Sequence, residues 1–173
     1  MNNGNKMREL CIEKVTLNIG VGKAGELLEN AKTLLERLSG CKAVSTRART
    51  RLPAFKIQKG EPIGAKATLR GAAAVEDFLK KAFEAKNKRV SATSIDRDGN
   101  FSFGIAEYIE LPGAKYDPKI GIIGFDVSVT MRRRGGLRIS KRKRGRTKMP
   151  SCQRISSEET SKYISERFGV LVE

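Results

Sequence analysis

The chain has no histidine and no tryptophan, and only three tyrosines. Without imidazole, the usual zinc sites and histidine-based acid–base catalysis are excluded. Without indole, stacking on a flat ligand must use the seven phenylalanines, the tyrosines or arginine planes. Cysteine is scarce too. Cys11, Cys41 and Cys152 are odd in number and widely spaced, with no CxxC pair, so no disulfide framework is expected. With no histidine partner, they read as packing residues rather than nucleophiles. No apolar run approaches the roughly 18 residues of a spanning helix. The N-terminal MNNGNKMREL lacks the apolar centre of a signal peptide, so a cytosolic protein is expected. No acid–base pair or nucleophile constellation is visible, so no enzyme activity, cofactor or metal site is expected.

Acid is scarce relative to base. Lys plus Arg number 35 and Asp plus Glu 19, a formal charge of +16 in 173 residues. Such an excess repels itself, and a polyanion relieves it. Nucleic acid is the usual partner, because Lys and Arg release counterions from phosphates. An anionic membrane surface is the rival.

The imbalance is concentrated in two places. Cys41 to Gly60 holds six Lys or Arg and no acid. Thr46-Arg47-Ala48-Arg49-Thr50-Arg51 alternates basic and small residues there. Pro53, a lone Phe55, Gly60, Pro62 and Gly64 follow, then the alternating Ala65-Lys66-Ala67-Thr68-Leu69-Arg70. The pattern predicts two strands joined by a long basic loop, and loops of that length usually serve a function. The second place is Arg132 to Lys148, with ten Lys or Arg in seventeen residues and again no acid. It includes Arg132, Arg133, Arg134, Arg138, Lys141, Arg142, Lys143 and Arg144. A block like this buries no core, so an extended arm that orders against an anionic surface, RNA before others, is expected, with a solvated tail or a localisation signal as the bland alternatives.

Between these stretches the chain reads as alternating elements. Val15, Leu17 and Ile19 alternate with Lys14, Thr16 and Asn18, a strand with one apolar face. Gly20-Val21-Gly22-Lys23-Ala24-Gly25 then matches GxGxxG. A dinucleotide site would need an acidic residue after the next strand, but Val44 leads into Ser45, Thr46 and Arg47. No series of parallel strand–helix units follows. The glycines Gly20 and Gly22 therefore read as a tight turn whose N–H groups can approach a phosphate. Glu26 to Ser39 carries Leu27, Leu28, Ala31, Leu34, Leu35 and Leu38 at helical spacing, with Gly40 as its stop. Gly71 to Lys86 is a second helix, its buried stripe Val75, Phe78, Leu79, Ala82 and Phe83. Asp96-Arg97-Asp98-Gly99 is a turn; it opens like a calcium loop but lacks the acidic twelfth ligand. Strands are expected over Phe101–Leu111 and Gly121–Met131. Ser157-Glu158-Glu159-Thr160 looks like a helix start, with Tyr163, Ile164 and Phe168 facing inward. Val170-Leu171-Val172 is expected to dock.

The order predicts an α+β fold: a largely antiparallel sheet with helices packed on one face, plus a long basic loop and a basic C-terminal extension. One domain is expected over 1–173, with a core at 8–131, the extension at 132–156 and a C-terminal helix and tail at 157–173. The free face of the sheet would meet RNA. The aromatic signature of the common four-stranded RNA-recognition module is missing, so base stacking across the sheet is not expected.

Several motifs then resemble one family in order over roughly residues 8–172. They are Asn18-Ile19-Gly20-Val21-Gly22, Thr46-Arg47-Ala48-Arg49, Phe55-Lys56-Ile57, Pro62-Ile63-Gly64 and Thr68-Leu69-Arg70-Gly71. Phe103-Gly104-Ile105, Tyr116-Asp117-Pro118 and Gly124-Phe125-Asp126-Val127 continue the series. Together they resemble the fifth large-subunit ribosomal protein family, and Arg154-Ile155-Ser156-Ser157-Glu158-Glu159 resembles its archaeal and eukaryotic branch. One departure is Pro150-Ser151-Cys152-Gln153, where that branch carries a more basic piece with a histidine. The resemblance implies a binder of 5S ribosomal RNA in the central protuberance, in contact with large-subunit RNA, neighbouring ribosomal proteins, the small subunit and peptidyl-site transfer RNA. It implies an RNA-facing set of Asn18, Thr46, Arg47, Arg49, Lys66, Thr68 and Arg70. It further implies a transfer-RNA-facing loop of Arg51, Leu52, Pro53, Ala54, Phe55, Lys56, Gln58 and Lys59. The chain is expected to be monomeric in isolation. The competing readings are a nucleotide-binding enzyme through Gly20–Gly25 and a non-specific polyanion or membrane-surface binder through the arm.

Overall fold

The computed structural model describes residues 5–136, 144, 150 and 153–173. Five strands form one antiparallel sheet: β1 (Leu10–Gly20), β2 (Val44–Arg47), β3 (Pro62–Leu69), β5 (Phe101–Ile105) and β6 (Phe125–Arg133), in the order β2-β3-β1-β6-β5. Two short strands, β4 (Arg89–Val90) and β7 (Leu171–Val172), pair in parallel as a separate ribbon. The helices are α1 (Glu26–Ser39), α2 (Ala72–Ala85) and α3 (Ser157–Phe168). This is the expected α+β architecture.

Strand alternation decides which face is buried. Val15, Leu17 and Ile19 of β1 join Ala65, Ala67 and Leu69 of β3 and Phe125, Val127, Val129 and Met131 of β6 in one core. Leu28, Ala31, Leu34 and Leu35 of α1 and Val75, Phe78, Leu79, Ala82 and Phe83 of α2 close over them. Phe83 lies 5.3 Å from Phe103 and 5.2 Å from Phe168, centroid to centroid, tying α2 to the sheet and to α3. Ring pairs at such distances contribute about 0.5–1.5 kcal/mol beyond their burial. Gly64 is required where β3 crosses β1: a Cβ there would lie 2.6 Å from the Ile19 carbonyl oxygen and 2.9 Å from Thr46 Oγ1.

Helix ends follow local chemistry. Glu26 and Glu29 sit in the first turn of α1, where the helix dipole favours them. Gly40, at φ 63°, turns back to donate its N–H to the Glu36 carbonyl. At α3 the capping residue is Ser156, one position earlier than the sequence pattern suggests. Its side chain accepts from Glu159 N–H and the Glu159 carboxylate accepts from Ser156 N–H, a reciprocal box. Arg167 near the other end bonds Glu76 of α2 and lies over the Tyr163 ring.

Several expectations need correction. Leu27 is exposed, not core: it is in phase with Ala31 and Leu35 but lies in the first turn of α1, where only Leu28 reaches the core. The strand expected over Phe101–Leu111 stops at Ile105, and a single 3-10 turn spans Tyr108–Glu110, where Tyr108 N–H finds the Ile123 carbonyl instead. The strand expected over Gly121–Met131 is displaced to Phe125–Arg133. A Cβ at Gly124 would meet the Ala106 carbonyl at 2.6 Å, so the chain crosses close to the β5 exit there before pairing begins. Val170–Val172 docks as expected, with Val170 buried, but its pairing with β4 had no sequence signal, since two residues are too few to show a period.

The arm also differs from expectation at its start. Arg132 and Arg133 are strand, paired with Cys11 and Leu10 of β1. Arg133 turns to the helix side, with its side chain only 14% exposed. It donates to both Glu159 carboxylate oxygens at 2.9 and 2.7 Å, to the Arg8 carbonyl at 2.9 Å and to the Arg154 carbonyl at 3.3 Å. Burial pushes the Glu159 carboxyl up, but the Arg133 guanidinium and the Ser156 N–H outweigh it and hold it below its ordinary 4.5. The two flanks of the extension therefore meet at one arginine.

Candidate nucleic-acid interface

The outward residues of the sheet form rows fixed by strand register. The first row is Thr46, Gly64 and Gly20. The second is Val44, Lys66, Asn18, Asp126 and Gly104. The third is Thr68, Thr16, Ser128 and Ser102. Lys66, Ser128 and Ser102 are exposed, while Asn18, Thr16, Thr46 and Thr68 are half-buried among their neighbours. The side chains are short and mostly hydroxyl or amide, and Gly20 and Gly104 leave backbone exposed, while Gly64 is packed against Thr46. Such a floor lets a ribose-phosphate chain approach closely and offers fixed hydrogen-bonding groups.

Charge is unequal across this floor. Lys66 lies in the β3–β1 half, and Arg47, Arg49 and Arg70 stand exposed at its margins. Among the described residues none of these four makes an ion pair with a protein carboxylate. The β6–β5 half instead presents Asp126. Thus Asn18, Thr46, Lys66 and Thr68 are brought onto one half-face, with Arg47, Arg49 and Arg70 around it. Thr16, Ser128 and Ser102 share the face, although no motif marks them. Strand alternation by itself puts Thr16, between Val15 and Leu17, on an outward side; only the register puts it and Ser128 in line with Thr68.

The glycine segment after β1 is a turn. Val21 and Gly22 N–H both donate to the Ile63 carbonyl, at 2.9 and 2.8 Å, and Gly22 has φ 81°. These donors are used inside the protein rather than aimed at a ligand. Both neighbours of β1 are antiparallel, unlike the parallel sheet of a dinucleotide fold.

The basic loop is more closed than its sequence suggests. Ala48 N–H donates to the Glu61 carbonyl and Gly60 N–H to the Ala48 carbonyl. Further out, Leu52 and Ile57 exchange both backbone bonds, at 3.0 and 3.2 Å. Pro53–Phe55 forms a 3-10 turn, and Lys56 is left-handed at φ 56°. The result is a hairpin-like arm whose tip shows Phe55, 72% exposed, beside Leu52, Pro53 and Ala54. Arg51, Lys56, Gln58 and Lys59 are all exposed around it.

Of the extension's cations expected to contact RNA, Arg132, Arg133, Arg134 and Arg144 are described. Arg133 is held by Glu159, Arg134 pairs with Glu9 at 3.4 Å, and Arg144 is exposed. Arg138, Lys141, Arg142 and Lys143 lie outside the described residues, as do Ser151 and Cys152 of the departure noted above. Among the described residues no helix is long and apolar enough to cross a membrane.

Two family models match the chain. Residues 5–58 match the model of ribosomal protein L5, and residues 62–159 match the model of that ribosomal family's C-terminus. The chain belongs to the ribosomal protein L5 family. It is 48% identical to the large ribosomal subunit protein uL5 of Sulfolobus acidocaldarius over 97% of this chain and 93% of that one. The uL5 proteins of Thermoplasma acidophilum and Archaeoglobus fulgidus are 45% and 46% identical, covering 97% and 99% of this chain and 98% and 94% of their own lengths. These relatives are archaeal, in keeping with the branch that the Arg154–Glu159 motif resembles. Neither matched segment of the L5 family builds the sheet alone. The first supplies β1 and β2, and the second supplies β3, which lies between them, with β5 and β6.

Proposed function

We propose that this chain is a non-catalytic structural constituent of the large ribosomal subunit, working in the cytoplasm as a single domain that binds 5S ribosomal RNA. The half-face of Asn18, Lys66, Thr46 and Thr68 receives the RNA, and Arg47, Arg49 and Arg70 engage its phosphates. The observation that carries this reading is that half-face itself: short polar groups in register, with exposed cations at its margin that no described carboxylate neutralises. The family membership supports the same assignment. The hairpin tip around Phe55 reaches peptidyl-site transfer RNA. Phe55 offers one flat surface for stacking, and Arg51, Lys56 and Lys59 supply charge that salt can screen. The chain is monomeric alone and contacts large-subunit RNA, neighbouring proteins and the small subunit when assembled.

The test is binding to 5S RNA across a salt series, with transfer RNA and a same-length unrelated RNA as competitors. A folded site predicts tight binding that survives the unrelated competitor and weakens linearly in log salt, by about 0.7–0.9 per phosphate contact. Equal binding to every RNA, all lost at moderate salt, would sink the 5S assignment and leave a non-specific polyanion binder. Deleting Leu52–Lys59 should spare 5S binding and remove the transfer-RNA contact; loss of both or of neither would contradict that division.

A further inference from the structure

At the end of β6 away from Gly20, the outward face leads into a cleft of about 430 Å³. Its wall includes Glu13, Asp98, Asn100, Thr130, Arg132 and Gln153. Arg132 is in phase with Asp126, Ser128 and Thr130, so it continues the outward row of β6. Its guanidinium is unlike those of its neighbours. Arg133 has Glu159 and Arg134 has Glu9. Arg132 Nε and Nη1 are buried and meet no acceptor among the described residues, and Gln153 Oε1, on the same cleft, is buried and meets no donor.

Buried donors on a charged group left without an acceptor are costly, because their desolvation is not offset. A substitution to an apolar residue of similar length would remove that cost, so a charge held here is suited to an acceptor from outside the chain. The two orphaned groups are complementary in kind. The arginine lacks an anionic acceptor at these two nitrogens, and the glutamine oxygen lacks a donor. A ribose-phosphate unit carries both, the phosphate oxygens and the 2′-hydroxyl. Free inorganic phosphate fits less well. The cleft wall carries the acids Glu13 and Asp98 alongside Arg154, and Arg133 there is already neutralised by Glu159. A small anion meets charges of both signs there, whereas a phosphate tethered to RNA bound elsewhere on the same face arrives at high effective concentration.

We infer that this cleft is a second RNA contact, a ribose-phosphate subsite in which Arg132 takes the phosphate and Gln153 the 2′-hydroxyl. It extends the RNA-binding reading above and rests on it. The full-length chain is compared with Arg132→Met and Gln153→Leu by thermal melting without RNA and by 5S RNA binding across a salt series. Arg47→Gln and Lys66→Gln serve as probes of the sheet half-face. The expected result is that Arg132→Met melts no lower than the parent, yet binds RNA several-fold more weakly with a log-salt slope reduced by about 0.7–0.9. Gln153→Leu should weaken binding without changing the slope.

The Arg132 Nε–Hε resonance of the unaltered chain gives a readout independent of folding of the variants. It should move on adding the RNA and stay in place with millimolar inorganic phosphate. A lower melting point for Arg132→Met with an unchanged slope makes the arginine structural and overturns the inference. An equal response to free phosphate overturns it in favour of a small-anion site. If the two half-face variants weaken binding while the Arg132 variant and resonance do not respond, the sheet reading stands and the cleft falls. If the unaltered chain does not prefer 5S RNA, the parent reading fails and the subsite fails with it.

Discussion

The two basic stretches look alike in sequence and are used differently. Between Arg47 and Lys59 the cations stay on the surface, and the backbone closes beneath them through the Ala48–Glu61 and Leu52–Ile57 bonds. Between Arg132 and Arg134 the charges go three ways: one into a cleft with two of its nitrogens unsatisfied, one inward to Glu159, one outward to Glu9. A run of positive charge is therefore not one functional unit. Cations facing solvent keep their charge available for phosphate, whereas one that neutralises a protein carboxylate is part of the fold.

The sharpest way to break this distinction is Arg133→Ala. It removes a partly buried ion pair and bonds to the Arg8 and Arg154 carbonyls, and should lower stability by about 2–3 kcal/mol in chemical denaturation. The loss should fall on stability and not on the salt slope of RNA binding measured where the variant is fully folded. If the slope fell while stability held, Arg133 would belong with the surface cations. The converse variant is Arg47→Gln, Arg49→Gln and Lys66→Gln together. Its stability should stay within about 0.5 kcal/mol of the parent, because exposed side chains away from packing contribute little. Its log-salt slope should drop by roughly 2–3, one phosphate contact apiece.

Smaller effects sharpen the same contrast. Ser156→Ala opens the capping box and should cost about 1 kcal/mol, visible as a lower denaturation midpoint with unchanged RNA slope. The Glu159 pair also has a pH signature. Because its folded pKa lies below 4.5, its contribution is fully present above that value and is lost as pH falls through the folded pKa. The stability gap between the parent and Glu159→Gln should thus be flat near neutrality and close in acid; a gap that persisted in acid would contradict the assignment. Phe55→Ala should leave stability unchanged, since the ring is exposed, and reduce only competition by transfer RNA.

Much of the fold was legible where a period runs long enough to be seen. The alternation of Val15, Leu17 and Ile19 and the α2 stripe from Val75 to Phe83 were both visible, and both are core. Shorter or context-bound features were not. Leu27 has the right spacing and the right angle, but it lies in the first turn of α1, where only Leu28 reaches the core. The strand starting at Phe101 loses its partner after Ile105, which no local pattern announces. Asn18, Lys66 and Thr68 could be placed on outward sides of their strands, but their alignment into rows with Thr16 and Ser128 depends on pairing between strands far apart in sequence.

Composition and periodicity by themselves determined the polyanion partner class, the α+β architecture and the inward and outward sides of each long strand, because charge and alternation are local properties of the chain. Tertiary structure decided which cations remain free and which strands lie beside one another, because both depend on what distant segments bring to the same place. Glu159, twenty-six residues beyond Arg133, is what turns one arginine in a basic run into a structural pin.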